Sequence, residues 1–107
     1  MPCDTNANLT WAQKERMASA LARLDSALAA GIASLVIGPT GAIAFKGFAE
    51  REGLTDVCAY RRLLSSNSPA LRRAVARAET LSGRKIDPRA IAAGVHSHDG
   101  GTTWGAH

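Results

Sequence analysis

A chain of 107 residues, 46% of them hydrophobic and with a formal net charge of +4, supports one domain with one core. Its two cysteines, Cys3 and Cys58, form no CxxC pair and no Cys/His zinc spacing, which argues against a disulfide scaffold or a zinc finger. The first residues show no basic stretch followed by an apolar run, so no secretory signal is read there, and the apolar-leaning run 27–37 is too short and too interrupted to span a bilayer. A soluble, mainly helical α+β protein is expected.

Only five residues are aromatic, Trp11, Phe45, Phe48, Tyr60 and Trp104, so alanine and leucine must supply most of the core. Small apolar side chains remove less area from water, so a thin core of modest stability follows. Charge is unevenly spread. Residues 1–56 carry five basic and six acidic groups, net −1, whereas residues 57–107 carry eight basic and three acidic groups, net +5. A basic half favours an anionic neighbour, either nucleic acid or an acidic protein face. A solvated surface is the plainer reading. Cys58 sits among apolar residues and reads as a reduced core thiol, as in a reducing cytoplasm.

In chain order, residues 1–8 are expected to be disordered and 9–93 to form the domain. Thr10 with Gln13 three residues later makes a capping box. Met17, Leu21, Leu24 and Leu28 then recur at helical spacing, and Gly31 is suited to a left-handed stop, so a first helix is expected at about 11–30. The period next falls to two. Leu35 and Ile37 share one face, Gly38-Pro39-Thr40-Gly41 is a turn, and Ile43 and Phe45 share the returning face, which makes a two-stranded antiparallel β-hairpin. A lone hairpin is marginal, so that apolar face must lie on helices. The small Ala42 and Ala44 on the other face would permit close approach by another subunit.

Residues 48–53 read as a polar connector. Thr55 caps a second helix with Val57, Tyr60, Leu63 and Leu64 on one side, ending near Ser65. Ser68-Pro69 opens a third, with Leu71, Ala74, Val75, Ala78 and Leu81 as its apolar stripe and Gly83 as its end. Asp87-Pro88 repeats the start signal for a short helical turn at 88–93. The aperiodic segment 94–107 is expected to be a flexible tail.

Candidate chemistries fail on spacing. Gly38-Pro39-Thr40-Gly41 lacks the Gly-Lys-Ser/Thr and the following helix of a phosphate loop, and Lys46 is misplaced for one. His96, His98, Asp99 and His107 lie among glycines that give a metal no rigid second shell, so no metal or cofactor is expected. Glu50 and Glu52 flank Arg51 on a connector, where a solvated charge cluster is the simpler account. No serine or cysteine has an oriented base beside it, so the chain is read as not an enzyme.

Two surface features remain. Trp104 is the tail's one large apolar group and suits an interface anchor. Arg61, Arg62, Arg72, Arg73, Arg77, Arg84, Lys85 and Arg89 form a basic set that could touch nucleic acid or an acidic surface. A helix-turn-helix-like pair at 55–82 could place Arg72, Arg73 and Arg77 against DNA, and a small DNA-binding regulator is therefore the alternative reading. The third helix lacks Asn, Gln or Ser partners for base edges, so phosphate contact is easier to support than base reading.

Ala20-Leu21-Ala22-Arg23-Leu24-Asp25-Ser26-Ala27-Leu28-Ala29-Ala30-Gly31, followed by 32–46, resembles the helix-plus-hairpin opening of the W-type head-completion, or head–tail joining, proteins of tailed bacteriophages. Leu71-Arg72-Arg73-Ala74-Val75-Ala76-Arg77-Ala78-Glu79-Thr80-Leu81-Ser82-Gly83 is similar to their closing helix, and the basic tail is similar too. The chain differs by carrying 48–68 where that family has a short connector. The resemblance implies a non-catalytic structural connector that assembles as a ring on the portal protein and receives the next neck or tail protein, in the virion or the host cytoplasm. It implies that the hairpin residues Leu35, Ile37, Ile43 and Phe45, together with Trp104, contact partners.

Overall fold

The computed structural model describes residues 9–48 and 54–106. The N-terminus expected to be disordered (1–8), Cys3, the Glu50/Arg51/Glu52 cluster and His107 lie outside the described residues. Helix α1 runs Trp11–Ala30. Thr10 sits in extended backbone, its Oγ1 accepts the Gln13 N–H at 3.1 Å, and the Gln13 Oε1 accepts the Thr10 N–H at 2.8 Å. This capping box satisfies two N–H groups that the helix itself cannot, an effect on the order of 1 kcal/mol. Gly31, at φ +75°, ends the helix.

Strands β1 (Ser34–Ile37) and β2 (Ile43–Lys46) pair antiparallel, with Leu35 opposite Phe45 and Ile37 opposite Ile43. These four side chains form the inner face and lie at the centre of the core, each 5% exposed or less. α1 brings Met17, Ala20, Leu24 and Leu28 to the core. Helices α2 (Asp56–Ser65), α3 (Pro69–Ser82) and α4 (Pro88–Ala92) complete it. The expected α+β architecture, mainly helical around one two-stranded hairpin, is the observed one.

Two polar ties fix the helices on that core. Ser68 Oγ accepts the Leu71 N–H, capping α3, and donates to Asp25 Oδ1 of α1 at 2.5 Å. Asp56, buried at the start of α2, accepts the Phe45 N–H at 3.1 Å through Oδ2. Phe45 sits at a position whose N–H points away from β1, so this carboxylate covers the outer edge of β2.

The helical faces differ from expectation in detail. α2 buries Asp56, Cys58, Ala59 and Leu63, with Cys58 a free thiol, while Leu64 is 52% exposed. Small residues at 58 and 59 let α2 lie close to β2, and that rotates Leu64 outward. In α3 the buried stripe ends at Ala78, and Leu81, in the last turn, is 75% exposed. Periodicity marks an apolar face but not where the neighbouring element stops.

Beyond residue 93 the sequence showed no element. The structure places there a second, two-residue ladder, β3 (Val95–His96) with β4 (Gly105–Ala106). The loop between them folds onto the outer face of the first hairpin. A Cβ on Gly38 would lie 2.8 Å from the Trp104 ring, and one on Gly101 would lie 2.8 Å from Val36 Cγ1, so both contacts require glycine. Val36 is paired with Ala44, which is fully buried. The close approach anticipated for another subunit on this face is made by the chain's own segment.

Candidate functional site

The basic set divides into groups with different surroundings. Arg61 is exposed and Arg62 half-buried on α2. Arg72 turns back along its own helix start, its Nη2 donating to the Asn67 carbonyl at 3.2 Å. Asn67 itself has φ +56°, which sets the sharp turn between α2 and α3. Lys85 pairs with Glu79 at 3.6 Å and Arg89 with Asp87 at 3.5 Å, both pairs at the surface and of small energetic value.

Arg73, Arg77 and Arg84 converge on an open groove of about 820 Å³. Its walls are the C-terminal end of α1, strand β1 and the face of α3 that carries Ala74 and Ala78. Lys46, at the end of β2, joins them. Among the described residues, no acidic side chain lines the groove and none of these four cations forms an ion pair. Arg84 Nη1 donates to the Ile37 carbonyl at 3.2 Å. The exposed Leu81 supplies an apolar rim. Lys46 and Leu81 were not among the expected contact residues. Strand alternation placed Lys46 away from the core, and that was the signal available for it.

The hairpin residues expected to meet partners, Leu35, Ile37, Ile43 and Phe45, instead face the protein's own helices as members of the core cluster. A partner could reach their side chains only if the hairpin lifted off. Trp104, expected as an anchor, is half-buried, with its ring on Gly38 and its Nε1 donating to the Gly101 carbonyl at 3.1 Å.

The loop that carries Trp104 is organised by Asp99. Its carboxylate accepts from the Thr103 hydroxyl and N–H, the Ser97 hydroxyl and the Thr102 N–H. These donors, the Thr103 hydroxyl foremost, hold the carboxyl well below the usual carboxylate range. His96 Nδ1 lies 2.6 Å from the Gly94 carbonyl, and its Nε2 lies 3.0 Å from His98 Nε2. A carbonyl can only accept, so a neutral His96 carries its proton on Nδ1 and takes one from His98 through Nε2. Asp99 is turned to its own loop, and among the described residues no group of three potential metal ligands forms. On α2, burial and then the Glu79 carboxylate raise the Tyr60 phenol above its ordinary value.

No family model matches this sequence, and neither a curated protein nor a solved structure matches it. Among the described residues no helix is long and apolar enough to cross a membrane.

Proposed function

We propose that this chain is a non-catalytic structural connector, a head–tail joining or neck adaptor of a phage or phage-like particle. In this reading copies assemble as a ring on the portal protein and present a surface to the next neck or tail protein. The observation that supports it is the element order. A capped helix, a two-stranded hairpin at the centre of the core and a closing helix ending in Gly83 give the arrangement that the resemblance implies. The cations around the groove, which form no ion pair among the described residues, suit an acidic face on a neighbouring protein, where charge complementarity speeds docking and fixes orientation.

Deletion of the gene in a particle-producing host tests this. DNA-filled heads lacking tails are expected in electron micrographs, with tailed particles restored by the purified protein. Normal tailed particles from the deletion strain would overturn the reading.

A second reading is a small DNA-binding regulator. It is favoured by the tight turn between α2 and α3 and by the exposed Arg72, Arg73 and Arg77. Sequence-selective duplex binding that persists at physiological salt would select it. Binding that is equal for all sequences and falls steeply with salt is the nonspecific charge effect.

A further inference from the structure

We propose that the outer edge of β1, which Arg84 covers in this structure, is a docking strip for an acidic, extended segment of a partner protein, which adds to the hairpin as a third strand. The case rests on a difference between the two edges of one sheet. In an antiparallel ladder successive residues point their N–H and C=O alternately toward the paired strand and away from it. Gly38 N–H donates to the Ala42 carbonyl at 2.8 Å, which makes that pair, and by alternation Val36 with Ala44 and Ser34 with Lys46, the bonded ones. Leu35 and Ile37 therefore turn their N–H and C=O outward. On the β2 side the equivalent outward group, the Phe45 N–H, is taken by the buried Asp56. On the β1 side the Ile37 carbonyl accepts from Arg84, an exposed side chain standing where a strand's N–H would stand. Leu35 and Ile37 are 5% and 2% exposed, so a strand pairs there only once Arg84 swings off that carbonyl.

The groove runs along that edge and has room for an extended segment. A strand matching β1 needs about 3.3 Å per residue. Charge selects the occupant. Among the described residues, Lys46, Arg73, Arg77 and Arg84 line the space without one acidic residue. A second copy of this chain, pairing β1 to β1, would bring two such sets of cations together and is disfavoured. A nucleic acid would satisfy the arginines but leave the outward backbone groups of Leu35 and Ile37 unused. A strand with carboxylates on alternate residues satisfies both, and small apolar residues between them meet Ala74, Ala78 and Leu81. The proposal stands apart from the connector reading, because it names a chemistry for the groove whatever assembly the protein serves.

The test uses the full chain and a labelled, end-blocked peptide of alternating Glu and Val, followed by fluorescence anisotropy and amide hydrogen exchange. Saturable binding is expected, with new protection at the Leu35 and Ile37 amides and none gained at Val36, which is already bonded. The exposed double substitution Arg73→Glu with Arg77→Glu should weaken binding at least about tenfold, the sum of two surface charge pairs. Arg23→Glu, on the far face of α1, should leave it unchanged, and far-UV circular dichroism checks that both variants fold. A peptide of equal charge with Pro in place of Val cannot donate to the edge and should not bind. The proposal is overturned if the proline peptide binds as well, if the Leu35 and Ile37 amides gain no protection, if no saturable binding occurs, or if duplex DNA alone binds and the Arg73/Arg77 variant loses it.

Discussion

The protein contains two antiparallel ladders that are stabilised by opposite means. β1–β2 is held by what it buries: four large apolar side chains on one face, in one core cluster with residues from all four helices. β3–β4 is two residues long, and its loop is held by one carboxylate collecting four donors. The first ladder is the base on which the fold is built. The second is a clasp laid over it, fastened by the Trp104 ring on Gly38. The lesson is that strand pairing can be the cause of a core or a consequence of having one.

Substitutions separate the two. Phe45→Ala removes the largest fully buried side chain and should lower global stability by about 3–5 kcal/mol, read as a shift of the urea midpoint. Gly41→Ala strikes the turn of the first ladder. Its φ is +89°, and a Cβ there would lie 2.6 Å from Asp87 Cβ and 2.8 Å from the Asp87 nitrogen. A loss of about 2 kcal/mol or more is expected, against about 1 kcal/mol for Gly31→Ala, where φ is also positive but the space is open. If the two glycine variants lose the same stability, the packing of the 85–87 segment on the turn contributes nothing.

The clasp should respond locally. Asp99→Ala is expected to abolish amide protection at Thr102 and Thr103 while leaving the urea midpoint close to that of the unchanged protein. Acid should do the same reversibly. The Asp99 carboxyl is lowered in the folded state, so its contribution is fully present above the ordinary carboxylate pKa and is lost as pH falls through the lower folded value. Amide exchange followed on acidification checks this. Loosening of the loop as pH rises, instead, would contradict the assignment of Asp99 as its organiser.

The same contrast explains what could be read from the residues. The capping box at Thr10 and Gln13, the alternation Leu35/Ile37 against Ile43/Phe45, and the Ser68-Pro69 start are local signals, and each of those elements formed where expected. The second ladder was not legible because nothing in 94–107 is periodic. Its structure comes from an Asp99 network and from a contact with Gly38, far away in sequence. The groove was half legible. Arg73 and Arg77 stand out on α3, but their meeting with Lys46 and Arg84 depends on how α3 lies beside β1. Leu81 fits the core spacing of α3, yet it stands 75% exposed at the rim of the groove.

The Trp104–Gly38 contact also imposes an order in time. All of α2, α3 and α4 lies between its two halves, so a ribosome releases the hairpin well before the segment that covers its outer face. During that interval Val36 and its neighbours have no lid, and the nascent chain carries a small uncovered apolar plate. Closing it is a long-range event that must come late, since the loop-closure entropy is repaid only once the helices have brought the two ends together.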